Sequence, residues 1–167
     1  MQQSAAKASN VTYQPVQPGD VYWLEHFLDE ETLSTKSAEE EEGIECDELV
    51  DTIKVSTKVL VGDVPAQIPV ALFGIKDGFA WMMTTRFLRD YGLHRTLLGA
   101  MRDVLGKHIR EKGRLRGYVR TTSGATRMLA MLGATFTLPV DVRSGKIRSK
   151  KFLLWDLQDN LKLQEAA

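Results

Sequence analysis

Arg89, Gly92 and His94 form the pattern Arg-x-x-Gly-x-His inside the stretch Arg86-Phe87-Leu88-Arg89-Asp90-Tyr91-Gly92-Leu93-His94-Arg95. An apolar, aromatic run, Phe79-Ala80-Trp81-Met82-Met83-Thr84, comes before it, and a long helical periodicity follows. A loop that joins a strand end to a helix start leaves backbone N–H groups uncommitted, and the helix dipole favours an anion there. The chemistry on offer is recognition of a phosphate-bearing molecule. Other chemistry is poorly represented. His26, His94 and His108 are the three histidines, Cys46 is the single cysteine, and no His/Cys/carboxylate group has metal-ligand spacing. There is no Gly-x-Ser-x-Gly elbow and no Walker loop. His108 reads as a hydrogen-bonded packing residue, and His94 reads as a plug or structural contact over the loop rather than a base. No residue is assigned a catalytic role, and no metal is expected.

The elements that position this loop are legible from periodicity. Phe79–Thr84 reads as a strand after the turn pair Asp77-Gly78. Leu97, Leu98, Met101, Val104, Leu105, His108 and Ile109 share one face of a long helix, which Gly113 ends. Leu115 to Arg120 is a second strand. Ser123 then caps a short helix carrying Ala125, Met128, Leu129 and Leu132, stopped by Gly133. Two strands joined through such a helix lie parallel in one sheet.

The rest of the chain is read around this unit. A polar start, 1–10, is expected to be a tail and not a secretory signal. Val11 to Pro15 is a short edge strand. Pro18-Gly19-Asp20 opens a helix that Asp20 can cap, whose shared face is Tyr22, Trp23, His26 and Phe27, with Glu30 as a further candidate. Glu39 to Asp51 is acidic, either a second helix with contacts at Ile44, Leu49 and Val50 or partly a loop around Gly43. Ile53 to Val61 and Val64 to Ile75 form a hairpin across Gly62-Asp63, with Pro65 and Pro69 suggesting a bulge or an edge. Thr135 to Val140 and Arg148 to Leu157 make a last hairpin across Ser144-Gly145.

The fold class is α/β (α+β): a mixed, mostly antiparallel sheet of six to seven strands with helices on both faces. One domain is expected over 11–158, with the acidic segment 20–51 inserted between the first two strands and a frayed tail over 159–167. The 167 residues, 43% hydrophobic and 26% charged, have material for one core. No apolar run approaches the roughly 20 residues of a membrane span.

The formal charge is zero, yet it is segregated. Lys36 is the single base across 20–51, while Arg86, Arg89, Arg95, Arg102, Lys107, Arg110, Lys112, Arg114, Arg116, Arg120 and Arg127 crowd the centre. Arg143, Lys146, Arg148, Lys150 and Lys151 add a basic hairpin. A polyphosphate cofactor, nucleic acid or an acidic protein surface, the 20–51 segment in cis or in a neighbouring copy included, could each answer this charge. Exposed aromatics interleaved with the bases are not evident, which argues against nucleic acid as the main partner.

The order strand, Arg/Gln-x-x-Gly-x-Gly/Ala loop, helix, strand, short helix resembles the GNAT (GCN5-related N-acetyltransferase) fold. The resemblance implies that the loop cradles the pyrophosphate of acetyl-CoA through Arg89, Asp90, Tyr91, Gly92, Leu93, His94 and Arg95, with Thr84 and Thr85 lining the pantetheine slot. His94 stands where the pattern asks for a tiny residue. The family's frequent Tyr acid falls on Leu129 and its frequent Asn on Thr122. Over Val59 to Leu157 the chain is most similar to the small GNAT-like internal virion proteins of T-seven-type short-tailed phages. That likeness rests on Val70-Ala71-Leu72-Phe73-Gly74, Gly78 to Thr85, Gly117 to Ser123 and Arg127 to Phe136.

The resemblance implies a protein of the phage particle interior or the host cytoplasm that acts by contacts with other virion proteins, with a degenerate acetyl-CoA site. A homo-oligomer and DNA contact through the basic face are further possibilities. The alternatives are an active acetyl-CoA-dependent N-acyltransferase and a basic genome-contacting capsid-interior protein.

Overall fold

The computed structural model describes residues 10–43, 49–64, 66–140, 143–147, 149 and 151–158. The expected tails (except Asn10), the contacts of Ile44, the state of Cys46, and the roles of Pro65, Arg148 and Lys150 lie outside the described residues. Seven strands form one sheet: β1 (Val11–Pro15), β2 (Thr57–Val61), β3 (Ile68–Lys76), β4 (Phe79–Thr84), β5 (Arg114–Arg120), β6 (Thr135–Thr137) and β7 (Phe152–Gln158). Their order is β1-β2-β3-β4-β5-β7-β6. β1–β2, β2–β3, β5–β7 and β6–β7 pair antiparallel, and β4 pairs parallel with β5, as the helical crossover between them requires. The fold class read from the sequence is the one observed. Contacts group the chain into two compact units.

The first unit holds the described residues of 1–36, 46–74 and 82–100. Val59, Leu60, Val61, Val70, Ala71 and Leu72 are buried in β2 and β3. Val59 faces Ala71 and Leu60 faces Pro69, so Val70 is an extra residue in β3, a bulge at the proline. A 3-10 turn, Pro18–Asp20, leads into helix α1 (Val21–Phe27). The expected face of α1 is corrected here. Val21 and Leu24 are its buried residues and Leu28 follows one turn on, while Tyr22, Trp23 and His26 are exposed. The aliphatic i, i+3, i+7 spacing decides the buried side, not the bulk of the rings. Asp20 accepts from the Gln17 N–H at 2.9 Å and from Lys58 Nζ at 2.7 Å. Helix α2 (Glu30–Glu41) follows, then α3 (Leu49–Lys54). Ile53, expected to start a strand, is a helical residue, fully buried. Burial of its side chain in α3 outweighs the β preference of a branched residue.

The second unit holds the described residues of 37–45, 75–81 and 101–167. Phe79 of β4 is opposite Arg116 of β5, and Gly117 is opposite Trp155 of β7. The last hairpin is shorter than expected. β6 stops at Thr137 and β7 starts at Phe152, with one bridge between Val140 and Ile147 in the long connection. Helix α6 (Ala125–Met131) starts on the Ser123 hydroxyl, which accepts from the Ala125 N–H at 3.1 Å. Phe152 is buried against Ala38 and Tyr118. Here the acidic segment meets the basic hairpin in cis: Lys151 pairs with Glu41 at 3.2 Å and Ser149 donates to Glu42 at 3.0 Å. Lys151 and Glu41 are both more than half exposed, so their pair adds little stability.

The long helix, here α5 (His94–Lys112), gives its first turns to the first unit and the rest to the second. Leu97, Ala100, Met101, Leu105 and Ile109 are its buried residues, which matches the periodicity. His108, expected to be a hydrogen-bonded packing residue, is half-buried, and its Nε2 is buried without a hydrogen-bond partner among the described residues.

Candidate functional site

The segment between β4 and α5 is not a plain loop. Phe87–Asp90 forms one helical turn, α4, started when the Thr85 carbonyl accepts from the Leu88 N–H at 3.1 Å. Gly92, at φ +62°, ends it. The Gly92 N–H donates to the Arg89 carbonyl at 3.1 Å and the Leu93 N–H donates to the Leu88 carbonyl at 2.9 Å. These two bonds are a Schellman cap, with Gly92 as its left-handed residue. The glycine therefore has a local structural reason. The N–H groups of Gly92 and Leu93, expected to face a phosphate, already have carbonyl partners.

Leu93 then caps the next helix, its carbonyl accepting from the Leu97 N–H at 2.9 Å. The N–H groups of His94, Arg95 and Thr96 form the first turn of the 19-residue α5 and have no carbonyl one turn back within the helix. Three donors and the positive end of the dipole can hold one anion. Thr96 lies outside the segment that the Arg-x-x-Gly-x-His pattern marks. A signal was available: the first apolar residue of the α5 stripe is Leu97, which places the first turn at 94–96.

The side chains divide sharply. Arg89, Asp90, Tyr91, Gly92, His94 and Arg95 are exposed and Leu93 is half-buried. His94 and Tyr91, expected to fill the loop, are both exposed, with the Tyr91 ring 6.1 Å from that of Phe87. Thr84 and Thr85 are held by the protein itself. The Thr85 side chain is fully buried, its hydroxyl donating to the Pro69 carbonyl at 2.5 Å, while its N–H donates to the Val70 carbonyl at 3.0 Å. Both carbonyls belong to the bulged stretch of β3, and the Val70 carbonyl also lies 3.3 Å from the Thr85 hydroxyl. Thr84 donates its hydroxyl to the Asp29 carboxylate, and its N–H donates to the Thr32 hydroxyl at 3.0 Å. Asp29 in turn accepts from the Thr32 N–H at 2.8 Å, which makes it the N-cap of α2.

In the second unit, Thr122 is exposed on the turn after β5. Leu129 is 4% exposed in α6, and its carbonyl accepts from the Ala134 N–H at 3.0 Å. Among the described residues no group of three His, Cys, Asp or Glu side chains could hold a metal ion, and no helix is long and apolar enough to cross a membrane.

No protein-family model matches the sequence, and no curated protein matches it. Solved structures do. A spermidine N-acetyltransferase SpeG chimera from Vibrio cholerae and hSSAT superposes at TM-score 0.55 and 12% identity, over 93% of this chain and 97% of that one. A second such chimera gives 0.50 and 11%, over 93% and 98%. The ribosomal-protein-S18-alanine N-acetyltransferase of Escherichia coli gives 0.48 and 15%, over 90% and 95%. The seven-stranded, mostly antiparallel sheet with its parallel β4–β5 pair and the first two superpositions agree, and the chain has the fold of the GNAT acetyltransferases.

Proposed function

We propose that this chain is a GNAT scaffold that works by holding other proteins rather than by transferring acetyl groups, as a component of the interior of a tailed-phage particle. The observation that carries the loss of turnover is Leu129. It occupies the position where the resemblance puts a proton-donating Tyr, and it is a buried apolar core residue. A leucine has no proton to give to a departing thiolate. Thr84 and Thr85, which would line the pantetheine slot, have their polar atoms engaged within the protein, in keeping with a scaffold role. The phage assignment rests on the sequence likeness over Val59 to Leu157.

A second reading keeps acetyl-CoA as cofactor and makes the chain an N-acyltransferase. It is favoured by the first turn of α5, whose three N–H groups suit a pyrophosphate, with Arg95 exposed within that turn and Arg89 exposed before it in sequence. Calorimetric titration with acetyl-CoA and CoA separates the two. No heat at millimolar ligand is the expected result. Micromolar binding followed by acetylation of an amine would replace the scaffold reading with the enzyme. Mass spectrometry of purified particles tests the location, and absence of the chain from them would remove it from the virion.

A further inference from the structure

The surface of the first unit carries a row of touching rings. Trp23 meets Phe27 at 4.8 Å between centroids, Phe27 meets Phe87 at 4.9 Å, and Phe87 meets Tyr91 at 6.1 Å. Tyr22 adds a ring 4.9 Å from His26. Tyr22 is 75% exposed, Tyr91 60% and Trp23 40%. The exposure of Tyr22 and Trp23 is hidden in the sequence, where their spacing with His26 and Phe27 predicts a buried face of α1. Rings left in water at this density mark a contact surface.

Arg86 lies over this row. Its guanidinium carbon is 5.1 Å from the Phe27 ring centre and 5.4 Å from that of Phe87. Arg86 has no carboxylate partner among the described residues. Two rings hold its charge in place, so little side-chain freedom is lost when an anion arrives. Trp, Tyr and Arg are also the residue types that dominate binding energy at protein interfaces. Glu25, Asp29 and Asp90 stand among these residues in sequence. They oppose a polyphosphate chain and leave Arg86 suited to a single carboxylate. The partner surface should therefore offer one carboxylate beside an apolar side chain.

The same unit carries that surface. Glu30 and Leu33 are one turn apart in α2, hence on one face. Glu30 is exposed, and so is Leu33, at 43%. Asp29 joins the two regions, since it caps α2 and its carboxylate holds Thr84, two residues before Arg86. We propose that two copies of this chain associate here, with Arg86 and the rings from Trp23 to Tyr91 of one protomer receiving Glu30 and Leu33 of its partner, and the reverse. Because both patches lie in one unit on neighbouring segments, a two-fold axis makes both contacts at once and the assembly closes as a dimer. The inference stands apart from the functional reading above, since an active transferase can pair in the same way and cofactor titration does not bear on it.

Sedimentation of the full chain from micromolar to submillimolar concentration tests it. A dimer is expected. Arg86→Glu and Glu30→Arg should each weaken it by about tenfold or more, and the two together should recover much of the loss. Trp23→Ser, at an exposed site, should weaken it equally while the thermal midpoint measured at a dilution where the parent is monomeric stays in place. A monomer at every concentration overturns the proposal, and so does a dimer that ignores all three substitutions. Trp23-dependent binding of a fluorescent oligo-dT by a monomeric protein would also overturn it and give the strip to single-stranded DNA.

Discussion

Gly117 of β5 lies against the indole of Trp155 on β7. A Cβ at position 117 would stand 2.6 Å from the ring and 2.7 Å from the Ala80 carbonyl oxygen. Neither neighbour can give way easily, because one is backbone and the other is a 5% exposed core ring. Gly117→Ala should lower stability by about 1–3 kcal/mol, or more if the strand shifts. Thermal unfolding followed by tryptophan fluorescence measures both the loss and any movement of Trp155. An unchanged midpoint would mean that the indole does not sit where the structure puts it.

Thr85→Val keeps the shape of the side chain and removes the donor to the Pro69 carbonyl. The site is fully buried, so that carbonyl has no water to turn to. A loss of about 1–3 kcal/mol is expected in urea unfolding. If Thr85 instead serves a bound cofactor, the variant will be as stable as the parent and will differ only in ligand affinity.

Acid should destabilise the protein through Asp20 and Asp156. Burial pulls the Asp20 carboxyl up, but the Lys58 and Gln17 hydrogen bonds and the Lys58 charge together bring it below its ordinary value. The Arg114 hydrogen bond leads in lowering Asp156, against some burial and with help from the charge of Arg114. Both folded-state values lie below those of the unfolded chain. Their contribution is therefore complete above the unfolded carboxylate pKa of about 3.9 and is lost as pH falls through the folded values. Stability measured from pH 6 downward, on the order of one unit per step, should fall most steeply below that point. In Lys58→Met the burial of Asp20 remains without its counter-charge, so the Asp20 carboxyl should rise, the variant should be less stable near neutral pH, and the share of the acid loss that Asp20 carries should shrink or reverse.

Leu129→Tyr restores the side chain that the GNAT resemblance places in the short helix. At 4% exposure there is no room for a phenol, and a loss of about 1–3 kcal/mol is expected without any acetyl transfer to amines. Measurable thiol release from acetyl-CoA in this variant would show that only the acid was missing.

The strands and helices from Phe79 to Gly133 were legible because their apolar periods are long and their ends carry Gly or Ser. Elements without such a period were not. The single turn α4 is too short to show a stripe, so nothing in the sequence distinguishes a phosphate-loop glycine at Gly92 from the cap of Phe87–Asp90. In α1 the bulk of the rings masks the aliphatic stripe of Val21, Leu24 and Leu28, which is the face that is buried. The first turn of α5 was found in part, at His94 and Arg95. The grip of Asp29 and Thr32 on Thr84 spans more than fifty residues and leaves no local trace in the chain.

The sheet ends on β1 at one side and β6 at the other. β1 is five residues long and closes on Pro15, which has no N–H to offer, and β6 has only three residues. Each margin is thus a poor template for an added strand, and fibre-like growth by edge pairing is disfavoured. What such a sheet leaves for contact is side chains rather than free backbone, and a substitution there can change a contact without disturbing the strand pairing.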